Sequence, residues 1–198
     1  MLHTATLIHD DVVDGSVCRR GKASVNARWD NASAVLAGDY LLAKAMRLLS
    51  SPDERLILQE MLDVVMAMSE GELIQNALSK REYGEQQYLD IIERKTARLI
   101  KACCVGGALS VAPSGSPLPT PHYSLISDFG LNLGLAFQIR DDILDDDNPE
   151  VTALAERLLP VYTEKASRAL EALRPYVRHE EVLASLRELT TFCVERNL

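Results

Sequence analysis

The stretch Gly134-Leu135-Ala136-Phe137-Gln138-Ile139-Arg140-Asp141-Asp142-Ile143-Leu144-Asp145 decides how the rest of the chain is read. Gln138, Asp141, Asp142 and Asp145 fall at i, i+3, i+4 and i+7, so on a helix they form one polar stripe. An amphipathic helix usually turns that side to its core. Gly130 and Gly134 prolong the stripe upstream and are expected to leave room beside the helix. Hard carboxylate oxygens suit Mg²⁺, which takes one or two carboxylates and completes its shell with water and phosphate oxygens. An EF-hand loop beginning at Asp145 fails, because its sixth position requires glycine and is Glu150.

A second acidic element stands near the start, at Asp10-Asp11-Val12-Val13-Asp14. On a helix Asp10 and Asp14 share a face, ~6 Å apart along the axis. Like charges so spaced repel, and a bound divalent cation reverses the sign of that interaction. Ala5, Leu7 and Ile8 precede the acids, so this is not an evenly solvated surface. Taken alone, the element reads equally as an acidic helix end in water. Two DDxxD elements, each after an apolar run, are far more specific than one.

Cations follow the acids. Arg19-Arg20-Gly21-Lys22 comes a few residues after the first cluster, and Lys95-Thr96-Ala97-Arg98 opens a later apolar run. Arginine grips phosphate oxygens with a two-pronged fork, and lysine acts as a point charge. A solvated basic turn is the plain reading of either group by itself. Beside two magnesium-type clusters, diphosphate binding is the better one.

The rest of the chain is helical in pattern. Leu42, Ala45, Met46 and Leu49 keep helical spacing, as do Leu58, Met61, Leu62 and Val65, and Leu186, Leu189, Thr190 and Cys193. No stretch sustains strand alternation, and the expected class is all-α. Ser51-Pro52-Asp53 reads as a helix start. Residues 113–121, with four prolines, form the one clear loop, read as lying within a single domain spanning residues 1–198. The 198 residues carry a net charge of −8, which disfavours a nucleic-acid partner. No apolar run reaches the roughly 18 residues of a membrane span. Cys18, Cys103, Cys104 and Cys193 form no CxxC pair and are expected to be reduced core thiols of a cytoplasmic protein.

These motifs resemble the trans-isoprenyl diphosphate synthases. The resemblance rests on His3 to Asp14 with Arg19-Arg20-Gly21-Lys22, on Ala37-Gly38-Asp39-Tyr40-Leu41-Leu42, on Gly71-Glu72-Leu73-Ile74-Gln75, on Lys95-Thr96-Ala97, and on Phe137 to Asp145, in that order. It covers residues 1 to about 145, and the tail from Val151 is similar only generically. It implies a helical bundle around a central cavity, a homodimer, and a Mg²⁺-dependent transferase that joins an allylic diphosphate to isopentenyl diphosphate. It also implies roles: Asp10, Asp14 and Asp141 as metal ligands central to catalysis, with Asp11, Asp142 and Asp145 supporting. Arg19, Lys95, Thr96 and Gln138 would contact the allylic substrate, Lys95 also aiding catalysis, and Arg20 would contact isopentenyl diphosphate. His3 and His9 are read as packing residues.

The chain departs from the family pattern in two places. It lacks the upstream Gly-Lys-Arg type motif of the family's N-terminal helices, and Leu2, Ala5, Thr6 and His9 already have helical spacing with no cap before them. It also lacks a lysine-containing segment near 147–151. A non-catalytic subunit of a heteromeric synthase and a terpene cyclase are the competing readings. Finally, Ala5 and Thr6 stand where bulky residues would floor the cavity of short-chain enzymes. Their small size points to a medium- or long-chain product.

Overall fold

The computed structural model describes residues 1–78, 84–113, 116–146 and 148–195. The backbone falls into two compact units, Met1–Leu58 and Gln59–Leu198. Within the first, α1 (Leu2–Val13) is followed by β1 (Cys18–Arg19), β2 (Lys22–Ala23), α2 (Val25–Arg28) and α3 (Asn31–Leu48). A 3₁₀ turn at Pro52–Glu54 then enters α4 (Arg55–Ala77), as Ser51-Pro52-Asp53 led one to expect. The second unit continues with α5 (Glu85–Ile92), a π-helical turn (Glu93–Ala97), α6 (Arg98–Leu109), α7 (Thr120–Asp145), α8 (Pro149–Leu173) and α9 (Glu180–Glu195).

The all-α expectation holds, with one exception. β1 and β2 form a short antiparallel hairpin that alternation could not reveal, because each strand has only two residues. Its turn is Arg20-Gly21, with φ of 52° and 73°. Positive φ at both central residues is what a type I′ hairpin turn requires.

In the first unit, capping side chains start the helices. Ser24 Oγ accepts from the Ala27 amide at 3.4 Å to open α2, and Asp30 Oδ1 accepts from the Ser33 amide at 2.6 Å to open α3. The Ser33 bonds hold the Asp30 carboxyl below the usual carboxylate range. α1 packs on α3 at Gly38, where any Cβ would overlap the His9 imidazole. His9 Nε2 lies 3.1 Å from the Val35 carbonyl and 3.4 Å from Asp39 Oδ1, so it packs between α1 and α3, whereas His3 is exposed and does not fit the packing reading.

In the second unit, α7 is the centre. One apolar cluster joins Phe129 and Leu133 of α7 to Ala166, Leu170 and Leu173 of α8 and to Leu183 and Cys193 of α9. Another joins Leu135 and Ile139 of α7 to Tyr88 and Ile92 of α5, Ala97, and Ala155 and Leu158 of α8. The stripes read from the sequence are partly offset. On α4 the buried residues are Val64, Ala67 and Gly71, whereas Leu62 is exposed, and on α9 Leu189 is exposed. The loop assigned to 113–121 ends earlier, since Thr120 and Pro121 already belong to α7; Ser114 and Gly115 lie outside the described residues. Asp146 turns the chain from α7 toward α8 with a φ of 46°, and its Oδ1 accepts from Thr152 Oγ1 at 2.9 Å. Asn148 caps α8, accepting from the Glu150 amide at 3.0 Å.

The cysteines depart from expectation. None forms a disulfide, but Cys193 is buried and Cys104 half-buried, while Cys18 and Cys103 are exposed. Burial pushes the Cys104 thiol up to about 11, so it stays protonated near neutrality. Among the described residues, no helix is long and apolar enough to cross a membrane.

Candidate active site

The first acidic cluster closes α1. Asp14 follows the last helical residue with αR dihedrals, and its amide bonds the Asp10 carbonyl at 2.8 Å. The one-turn spacing of Asp10 and Asp14 therefore survives beyond the helix end. Asp11 faces the other way. It is 3% exposed, and its Oδ1 accepts from Arg19 Nε at 2.9 Å and from Arg19 Nη2 at 2.6 Å. That bond leads in raising the Arg19 guanidinium above its ordinary range. The Ser16 amide and Asn26 Nδ2 bond the Asp11 carbonyl, at 2.9 and 3.2 Å, and Ser24 Oγ bonds the Ser16 carbonyl at 2.7 Å. The hairpin is thus pinned to α1 through Asp11, and Arg20 is held out at its exposed tip.

Arg20 is in a backbone region that non-glycine residues occupy at a cost of roughly 1 kcal/mol. Arg20→Asn, which tolerates this conformation better, is expected to stabilise the protein by about 0.5–1 kcal/mol. Urea denaturation checks the sign; a loss of stability would remove the strain argument.

The second cluster lies at the C-terminal end of α7. Asp142 turns inward. Tyr88 donates its hydroxyl to Asp142 Oδ2 at 2.5 Å, and Gln138 Nε2 donates to Asp142 Oδ1 at 2.9 Å. Burial pushes the Asp142 carboxyl above the usual range, against the pull of these two bonds. Burial, followed by the Asp142 charge, keeps the Tyr88 hydroxyl protonated far above its ordinary value. Thr96 Oγ1 donates to Gln138 Oε1 at 2.8 Å. Lys95 donates to Gln75 Oε1 at 2.8 Å and pairs with Glu72.

The adjacent residues Lys95 and Thr96 ride on the π-turn, Lys95 reaching Gln75 of α4 and Thr96 reaching Gln138 of α7. Gly71 admits that turn, since a Cβ there would lie 2.9 Å from Arg94 Cβ and 3.0 Å from Lys95 Cγ. The glycines of α7 serve a similar end. A Cβ on Gly134 would lie 2.6 Å from Ala97 Cα, and one on Gly130 would lie 2.8 Å from Lys101 Cα. The space expected beside α7 at these glycines is therefore filled by neighbouring backbone, not left open.

Gln75, Tyr88, Lys95, Thr96, Gln138 and Asp142 line one cavity of about 260 Å³, walled also by Ile91, Ile92 and Val151. Three of the sequence-predicted substrate contacts, Lys95, Thr96 and Gln138, meet there. Tyr88 was missed. A lone tyrosine 54 residues from its partner carries no sequence signal. A larger cavity of about 510 Å³ opens between α4, α6 and α7, lined by none of the predicted residues. Several of its charges are used internally: Tyr123 donates to Glu60 at 2.5 Å, Lys101 approaches Glu60 at 3.7 Å, and Arg98 pairs with Glu93 at 3.1 Å.

The donors suit a hard cation shared with phosphate. Among the described residues, no group of three or more His, Cys, Asp or Glu side chains forms a ready metal cage. Mg²⁺ does not need one, since one or two carboxylates suffice when phosphate supplies the rest. Both acidic clusters stand at helix C-terminal ends with no basic residue in the last turn. There the macrodipole disfavours anions and favours a cation.

The paired carboxylates that end α7, and the lysine, threonine and glutamine of the same unit that converge on its cavity, belong to an all-α fold of the isoprenoid-synthase class. The polyprenyl synthetase family model matches residues 1–152, and the chain belongs to that family. The all-trans-nonaprenyl-diphosphate synthase (geranyl-diphosphate specific) of Rhodobacter capsulatus is 42% identical over 146 residues, which are 73% of this chain and 43% of that protein. The geranylgeranyl diphosphate synthase of Sulfolobus acidocaldarius is 41% identical over 154 residues, 73% of this chain and 44% of that protein. The chain thus spans under half the length of these curated relatives. The crystal structure of a polyprenyl synthase from Caulobacter crescentus CB15, complexed with calcium and isoprenyl diphosphate, superposes with a TM-score of 0.84 at 28% identity, covering 100% of this chain and 76% of that one. The structural likeness therefore extends through α8 and α9, past the end of the sequence match.

Proposed function

We propose that this protein is a trans-prenyltransferase that condenses an allylic diphosphate with isopentenyl diphosphate in the presence of Mg²⁺. The observation that carries the reading is the meeting of Lys95, Thr96, Gln138 and Asp142 around one cavity of the second unit. The synthases named above support it. On this reading Asp10, Asp14 and Asp141 would hold magnesium on diphosphate, with Asp145 supporting. Asp11 and Asp142 support their neighbours from inside, through Arg19 and through Tyr88 with Gln138. Mg²⁺, when bound, neutralises the departing diphosphate as a Lewis acid. Lys95 adds a fixed positive charge near the same group, and Thr96 and Gln138 orient it. Arg20 offers its guanidinium fork to the second diphosphate from the hairpin tip. No side-chain nucleophile is required, because the isopentenyl double bond attacks the allylic carbon and the released diphosphate takes the proton.

The same proposal includes a homodimer, a cytoplasmic setting and a single synthase domain. It also includes a medium- or long-chain product. Relatives making nonaprenyl and geranylgeranyl chains are almost equally similar, so identity does not choose between them. The small residues before Asp10 favour the longer product. Ala5 is 1% exposed, so a phenylalanine there would damage packing, whereas Thr6 is half-buried and donates to the His3 carbonyl of its own helix at 2.9 Å. Thr6→Phe is expected to shorten the product by at least one five-carbon unit, as read by chromatography of dephosphorylated products; identical lengths would remove α1 from the product path.

The direct test is incubation with labelled isopentenyl diphosphate and a short allylic diphosphate, with and without Mg²⁺. A lengthened, magnesium-dependent product is expected. Release of a cyclic hydrocarbon would make the protein a cyclase. No turnover alone, but turnover on adding a related synthase, would make it a partner subunit.

A further inference from the structure

We infer that Tyr88 is a positioning residue for the proposed reaction: it anchors Asp142, and through Asp142 it sets the direction of the Gln138–Thr96 hydrogen-bond chain that faces the substrate cavity. The inference rests on the functional reading above and adds to it a residue and a polarity.

The argument is one of donors and acceptors. An ionised carboxylate only accepts hydrogen bonds. Both oxygens of Asp142 are taken by protein donors, Oδ2 by the Tyr88 hydroxyl at 2.5 Å and Oδ1 by Gln138 Nε2 at 2.9 Å. Gln138 must therefore turn its NH₂ toward Asp142, and its Oε1 is left facing Thr96 at 2.8 Å. Thr96 must then donate its only proton to Gln138. Every donor in the chain points toward Asp142, and Thr96 presents lone pairs, not a proton, to anything else in the cavity. The sense of the whole chain follows from the two protein donors that occupy the oxygens of Asp142.

Tyr88 suits the anchoring role. It is 5% exposed and packs with Ile92, Ala97, Ile139 and Ala155, so its ring has little freedom. It comes from α5, Asp142 and Gln138 from α7, and Thr96 from the π-turn. The chain of bonds therefore also ties these three elements at the cavity wall. A networked group buried this way is fixed before substrate arrives, and small displacements of a positioned group are expensive in rate.

Two variants test the inference. Tyr88→Phe keeps the ring and removes only the anchoring hydroxyl. Asp142→Asn keeps an acceptor for Tyr88 but offers NH₂ to Gln138, so the amide turns over and donates to Thr96. That variant reverses the chain without deleting a bond. Both are expected to lower kcat by roughly 10- to 100-fold, with KM for either diphosphate within about threefold and the Mg²⁺ concentration for half-maximal rate within about twofold. The double variant should be no slower than Asp142→Asn alone. The thermal midpoint of Asp142→Asn should stay near the wild-type value, which a purely structural role would not combine with a lost kcat. An unchanged kcat in Tyr88→Phe, or multiplicative losses in the double variant, would overturn the inference. So would a tenfold rise in the Mg²⁺ requirement of Asp142→Asn, which would make Asp142 a direct ligand. Wild-type protein without turnover would sink the functional reading and this inference with it, whereas full wild-type turnover with an unaffected Tyr88→Phe would sink this inference alone.

Discussion

Replacing Asp10 or Asp141 by alanine is expected to lower turnover by about a thousandfold or more, roughly 4 kcal/mol of transition-state stabilisation, with little effect on folding. The two halves of this expectation have separate physical grounds. The catalytic half follows from charge on the proposed reading: a departing diphosphate needs cations, and there these carboxylates would hold them. The folding half follows from position. Acidic side chains at the C-terminal ends of α1 and α7 oppose the helix dipole and repel neighbours one turn away. The relief of that unfavourable dipole interaction offsets what each carboxylate gains from its own partners, so stability is expected to stay within about 1 kcal/mol of wild type. Circular dichroism melting beside a radiolabel assay would show the split, and near-normal turnover in both variants would remove the aspartates from the mechanism.

Gly134→Ala is expected to do the opposite, unsettling the fold first. The added Cβ would stand 2.6 Å from Ala97 Cα and 3.0 Å from the Ala97 carbonyl oxygen, and backbone cannot rotate out of the way. Overpacking of this kind costs about 1–3 kcal/mol, and the upper end is expected where backbone must move. Thr96 precedes Ala97, and Gln138 is one turn beyond Gly134, so the shift should also loosen their 2.8 Å bond and reduce turnover. Gly107 supplies the control. It is also helical, but a Cβ there meets nothing within 4 Å. Gly107→Ala should stabilise by about 0.5–1 kcal/mol through helix propensity alone. Denaturant midpoints of the two variants should move in opposite directions; movement in the same direction would refute the packing account of Gly134.

Local chemistry was legible in the sequence, and long-range geometry was not. The stripe Gln138-Asp141-Asp142-Asp145 identified its helix because all four residues share one 3.6-residue period. Lys95 and Thr96 were recognised by type and order. What the period could not tell is which stripe member turns inward: Asp142 faces Tyr88 and Asp11 faces Arg19, although each looks like its acidic neighbours in one dimension. Gly130 and Gly134 stand out in the sequence, but a glycine without a partner reads as space, and the partners are Lys101 of α6 and Ala97 of the π-turn, far upstream in the chain. The hairpin went unseen because its turn is Arg-Gly, not the Asn-Gly that usually announces one.

The π-turn at Glu93–Ala97 has a consequence for how the chain could vary in length. A wide turn amounts to one extra residue in an otherwise continuous rod, and each residue added or removed rotates everything beyond it by about 100°. From Tyr88 to Ala97 the segment thus works as a ruler. Upstream it meets Asp142, at the turn it serves Gln75 and Gln138, and downstream it lays bare backbone against Gly134. A change of side chain here disturbs one partner, while a change of one residue in length would misalign all of them together.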